Sequence, residues 1–212
     1  MMKKNRSSIA VGFILMFVLW TLMVSFVDVR AIGPDGTSVG LATLNGFVHD
    51  HIGSNMFLYA VTDWLGLVPI GTAFVFAVLG LTQLIKRKSL FEVDRSIIAL
   101  GVLYVVVVLT YFFFEAVVVN YRPILIDGRL EASYPSSTTM LVLCVMPTAA
   151  MQLNARIKCK PLRRCLIIAI IAFIAFTVVG RLLSGVHWIT DIIGGALISA
   201  GLVTMYGAFC QY

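Results

Sequence analysis

Arg181, His187 and Asp191 stand in the pattern Arg-x5-His-x3-Asp at the entrance to the last apolar segment of the chain. Ionisable side chains at the edge of a membrane-buried run are costly and mark function. With the last span beginning near Val186, His187 and Asp191 fall four residues apart on one helical face, where a carboxylate orients an imidazole. Arg181 lies just ahead and is suited to holding an anion in front of that ring.

Two earlier stretches supply what such a site needs. Pro135-Ser136-Ser137 opens an apolar segment with a proline at a tolerated first-turn position and serines that suit helix starts. The amide groups of a helix start, at the positive end of the helix dipole, attract anions. Arg122-Pro123 closes the preceding apolar segment. Taken singly, each has a plainer reading, as a capped helix and as an arginine reaching lipid headgroups. Two arginines, a helix amino terminus and a His-Asp pair together describe a phosphate pocket that contains a nucleophile.

The elements that must position these residues are membrane helices. The 212 residues are 60% hydrophobic and 12% charged, with mean hydropathy +0.98, far from ordinary soluble composition. Apolar runs predict about six spans of roughly 20 residues, over 9–26, 63–85, 96–119, 136–154, 165–183 and 186–209. The expected fold is therefore an all-α, polytopic helical bundle forming a single membrane domain over 1–212. Residues 41–52 mix apolar and polar side chains and suit an interfacial helix after the first span.

Twelve of the sixteen basic residues fall on one side of this arrangement. Lys3, Lys4 and Arg6 precede the first span, Lys86, Arg87, Lys88 and Arg95 separate the second and third, and Arg156, Lys158, Lys160, Arg163 and Arg164 separate the fourth and fifth. By the positive-inside rule both termini are expected to be cytoplasmic in a cell membrane, with the Arg122 and Arg181 loops extracytoplasmic. The net charge of +6 is then a signal of topology and does not point to nucleic acid. The amino-terminal run reads as a span and not as a cleaved signal peptide, because no small-x-small site follows it before Asp28. Cys144, Cys159, Cys165 and Cys210 offer no outward disulfide framework.

With these motifs in place, the chain resembles the phosphatidic acid phosphatase type 2 family of membrane lipid phosphatases. That family carries Lys-x6-Arg-Pro, Pro-Ser-Gly-His and Ser-Arg-x5-His-x3-Asp in order across six spans. Here the series reads Glu115-x6-Arg122-Pro123, Pro135-Ser136-Ser137-Thr138 and Gly180-Arg181-x5-His187-x3-Asp191. The resemblance implies that His187 attacks phosphorus and becomes a phosphohistidine while Asp191 fixes its tautomer. It further implies that Arg122, Arg181 and the amides around Ser136 and Ser137 hold the phosphoryl oxygens. The implied partners are a phosphorylated lipid and the bilayer, with no metal and no cofactor.

Two positions depart from the family pattern. Glu115 replaces the motif lysine, and Thr138 replaces the histidine that protonates the leaving group. General acid catalysis is typically worth about 10²–10⁴-fold, a severe loss when the leaving group is an alkoxide. A diphosphate releases a phosphate monoester whose second pKa is about 6, so it can depart largely unprotonated. The expected substrate class is therefore a lipid diphosphate, such as undecaprenyl diphosphate, ahead of lipid monophosphates. The alternative is a catalytically impaired member that binds or transports phosphorylated lipids.

Glu115 lies seven residues before Arg122 and is expected to pair with it, or, with its pKa raised by burial, to supply the missing proton. His49 and His51 read as interfacial polar residues, the alternative being that either folds over the pocket as a substitute acid. Asp63-Trp64-Leu65-Gly66 reads as the polar, aromatic start of a span that anchors at the interface. Trp188 either shapes the pocket or joins the same aromatic belt.

Overall fold

The computed structural model describes residues 2–210. Helix α1 (Met2–Phe26) leads into a two-stranded antiparallel hairpin, β1 (Arg30–Ala31) with β2 (Ser38–Val39). Then come α2 (Ala42–Ile52), α3 (Met56–Leu65), α4 (Leu67–Arg87), α5 (Arg95–Ala116), α6 (Ser137–Arg156), α7 (Lys160–Leu183) and α8 (Ile189–Cys210). Six stretches are long and apolar enough to cross a membrane, with α3 and α4 counted as one of 32 residues.

The predicted spans match these helices except at their edges. The second begins at Met56, not at residue 63, because Asn55 caps α3 by accepting the Leu58 amide, which starts the helix two turns earlier. The third ends at Ala116, where Val117 leaves helical geometry. The last begins at Ile189, which leaves His187 ahead of the helix.

Polarity and small residues decide which helices lie inside. In α6 and α8, 56% and 50% of the most apolar window is buried, against 11–28% in the other four spans. Helix α6 has the lowest hydropathy of the six and buries Thr138, Thr139, Thr148 and Gln152. Buried polar groups need partners in an apolar surround. Thr148 donates to the Cys144 carbonyl at 2.8 Å, and the Gln152 amide donates to the Tyr206 hydroxyl of α8. Helix α8 presents Gly194, Gly195, Ser199 and Gly201 to its neighbours, which permits close approach. At Gly201 a Cβ would stand 2.8 Å from Ile14 Cγ1, so α1 packs directly on this stripe.

One end of the bundle is covered by the chain between the helices. Asn45 of α2 is fully buried, donates to the Thr190 hydroxyl at 3.0 Å and accepts the Thr190 amide at 3.3 Å. The expected interfacial helix is thus tied to the start of α8. Trp20 of α1 donates to the Thr190 carbonyl at 3.0 Å. The connection from α5 to α6 folds back on itself through a bridge between Tyr121 and Ala132.

Candidate active site

His187 owes its position to the turn between α7 and α8. Gly185 takes φ +65° and lies against the Gly53 carbonyl, where a side chain has no room. The next residues, Val186, His187 and Trp188, are buried. The His187 Nδ1–H donates to the Ser133 carbonyl at 3.1 Å, since a carbonyl can only accept. That fixes the tautomer and leaves a lone pair on Nε2. Arg122 Nη1 donates to Nε2 at 3.3 Å.

Asp191 is fully buried, and its Oδ2 accepts the Trp188 amide at 2.9 Å while lying 3.6 Å from His187 Nδ1. The pair expected from the spacing is present, but not as two residues on one helical face. Asp191 reaches back from the first turn of α8 and holds the segment that carries the histidine. Trp188 is buried and donates through Nε1 to the Tyr121 carbonyl at 2.8 Å. It therefore shapes the pocket and is not part of an interfacial belt. His49 packs edge-on against it at 5.4 Å, whereas the His51 Nδ1–H donates to the Phe47 carbonyl of its own helix at 2.7 Å.

The two arginines approach from different elements. Arg122 Nε pairs with Glu131 Oε2 at 3.0 Å, and the Arg122 amide donates to the Glu131 carbonyl. The expected partner was Glu115. Because α5 ends at Ala116, the two-turn alignment of Glu115 with Arg122 does not persist, and the folded-back loop delivers Glu131 instead. Glu115 lines the cleft beside Tyr111, Arg122 and Ser137. The adjoining recess, lined by Tyr111, Glu115, Ser137 and His187, leads to the imidazole.

Arg181 is 1% exposed and enters from the last turn of α7. Its guanidinium stacks over the Tyr59 ring at 4.8 Å, approaches the Thr62 hydroxyl at 3.4 Å and pairs with Asp63 at 3.5 Å. Asp63 is therefore more than an anchor, although Trp64 beside it is 73% exposed, as an anchoring residue is.

The start of α6 narrows the expected anion site. The Ser136 amide donates to the Asp191 carbonyl at 3.1 Å, and its hydroxyl caps the Thr139 amide at 3.5 Å. Ser136 thus joins α6 to α8 and has no amide left for phosphate. Ser137 and Thr138, the first residues of the helix, have amides without intrahelical acceptors. Ser137 lines both recesses, and Thr138 is nearly buried.

Burial, then the charges of Arg122 and Arg181, holds the His187 pKa well below its ordinary 6.5, against a smaller opposing effect of the Ser133 carbonyl. The imidazole stays neutral, the form that can attack an electrophile.

Arg122, Arg181, a neutral histidine and a helix start stand near one another, and the sequence that carries them matches a known family. Its model, the PAP2 superfamily, matches residues 117–211, the segment that holds Arg122, Ser137, Arg181, His187 and Asp191. The match spans a little under half of the chain. The fold agrees: the first transmembrane PAP2 type phosphatidylglycerolphosphate phosphatase from Bacillus subtilis superposes with a TM-score of 0.66 over 95% of this chain and 96% of that chain. The two are 16% identical, so this likeness concerns the PAP2 fold alone. No curated protein sequence matches the chain.

Ser133, Tyr59 and Thr62 lie outside the Arg122, Pro135 and Arg181 motifs and carry no local signal in the sequence. Ser133 acts through its backbone carbonyl, which no residue type advertises. Asp63 carried a signal, an acidic residue inside an apolar run, which was read as the edge of a span.

Proposed function

We propose that the chain is a membrane lipid phosphatase that forms a phosphohistidine on His187. The observation that carries the proposal is the tautomer: Nδ1–H is held by the Ser133 carbonyl and the Nε2 lone pair faces Arg122. The phosphoryl group enters between Nε2 and the two guanidinium groups, and Arg122 turns from the imidazole to a phosphoryl oxygen. Nε2 attacks phosphorus, the bond to the leaving oxygen breaks, and the Ser137 and Thr138 amides with Arg122 and Arg181 take up the developing charge. Asp191 stabilises the imidazolium-like intermediate. Water then cleaves the P–N bond, releasing phosphate and restoring the neutral imidazole.

The favoured substrate is a polyprenyl diphosphate such as undecaprenyl diphosphate, processed at the extracytoplasmic face of a cell membrane with both termini cytoplasmic. Thr138 supports this preference, because a hydroxyl does not protonate an alkoxide near neutral pH, and a departing phosphate monoester needs no such help. The distribution of Lys and Arg supports the orientation. The same Thr138, with Glu115, supports the second reading, a member that binds or moves phosphorylated lipids without turnover.

Phosphate release from a panel of lipid mono- and diphosphates, with His187→Ala as control, separates the two. Turnover that His187→Ala abolishes, with an acid-labile phosphoryl label on the wild-type protein, is expected. A folded protein that binds the panel and releases no phosphate would sink the phosphatase reading.

A further inference from the structure

Arg181 is buried yet loosely held. Its polar contacts are long, 3.4 Å to Thr62 and 3.5 Å to Asp63, and its Nε has no acceptor. Charge-assisted contacts of a settled guanidinium run at about 2.7–2.9 Å. The arginine backbone is nevertheless fixed, because α3 and α7 touch at Gly180, where a Cβ would stand 2.8 Å from Thr62 Cγ2. Tyr59, Thr62 and Asp63 occupy one face of α3 and surround the guanidinium. Among these groups the Asp63 carboxylate alone has room to leave, since its side chain is 58% exposed while that of Arg181 is 2% exposed.

We propose that Asp63 is a displaceable counter-ion for Arg181: it neutralises the buried guanidinium while the site is empty and yields that contact to phosphate. A buried cation left without a counter-charge is strongly disfavoured. A phosphate dianion carries more charge than a carboxylate and fits the guanidinium fork, so it outcompetes a pair held at 3.5 Å. When phosphate is the product, the returning carboxylate competes for the same arginine and favours release. This inference rests on the phosphatase reading of the site, and it adds a positioning residue from α3, outside residues 117–211.

The test uses inorganic phosphate as the probe on the full-length protein in detergent. The readouts are the rise in melting temperature on titration and the inhibition constant against a turned-over lipid. Asp63→Asn is expected to lower the phosphate dissociation constant by about three- to tenfold, the scale of one partly exposed charge pair plus the repulsion it removes. Asp63→Ser should move it in the same direction, and Asp63→Glu should keep it near the wild-type value. Unchanged or weaker phosphate binding in both neutral variants overturns the inference. Failure of both to fold even in phosphate buffer also overturns it, because phosphate then stands in for the displaced carboxylate. Wild-type protein indifferent to phosphate would count against the phosphatase reading itself.

Discussion

His187 Nδ1 lies 3.1 Å from the Ser133 carbonyl oxygen and 3.6 Å from Asp191 Oδ2. The ring is thus oriented chiefly by a backbone acceptor, and the carboxylate stands behind it as a source of negative charge and as the acceptor for the Trp188 amide.

This division of labour sets the expected cost of Asp191→Asn. With the Ser133 carbonyl keeping the tautomer, kcat should fall by about 10- to 100-fold, or roughly 1.4–2.8 kcal/mol. Loss of the tautomer in a histidine catalyst costs nearer to 10⁴-fold. Steady-state kinetics on a lipid diphosphate decide the matter, and a loss of about 10⁴-fold would show that the carboxylate fixes the tautomer after all.

The low pKa of His187 has a definite sign in the pH profile. In the proposed mechanism neutral imidazole attacks, so protonation removes activity, and the acid limb of kcat/KM should lie below pH 6.5. Arg122 is one of the charges that hold this pKa down, after burial. In Arg122→Gln the imidazolium is less disfavoured and the limb should move to higher pH, whatever the loss in absolute rate. A limb that stays or moves down would exclude this electrostatic role.

Thr138→His should change selectivity more than rate. Thr138 opens α6 beside Ser137, which lines the recess leading to His187. An imidazole there could protonate an alkoxide leaving group, a contribution of up to about 10²–10⁴-fold. The ratio of monophosphate to diphosphate turnover should rise. An unchanged ratio in a folded variant would mean that Thr138 is not what sets the preference.

Gly194→Ala should weaken the fold and the site together. A Cβ at Gly194 would stand 2.7 Å from the Tyr134 ring, which is held between Phe17 and Phe114 and bonded at its hydroxyl to Thr21. Overpacking of this kind costs about 1–3 kcal/mol. Because Tyr134 adjoins Ser133, a lower melting temperature in detergent should come with reduced kcat. A variant as stable and as active as wild type would show that the ring can step aside.

The spans were legible because apolar length is a local property of sequence, and the candidate site was legible where residues at fixed spacing, such as His187 and Asp191, meet in the fold. The errors share one cause. At Asp63 a charge inside an apolar run marks the edge of a span unless a partner arrives from elsewhere, and its partner is Arg181, far along the chain. Glu115 was expected at Arg122 because helical spacing was extended past Ala116, whereas Glu131 arrives through the folded-back loop. At Ser136 the helix start suggests a free amide, but that amide donates to the Asp191 carbonyl. Each miss depends on a tertiary contact that no local pattern encodes.

Trp20 and Thr21 reach from α1 to Thr190 and Tyr134, on either side of His187. Both lie outside residues 117–211, which contain every group proposed to touch phosphorus. In the proposed mechanism the reactive atoms are therefore supplied by one half of the chain and their alignment in part by the other. Two proteins with identical motifs in the second half can differ in rate through the first helix alone, and a motif transplanted without that helix would bring the chemistry but not its geometry.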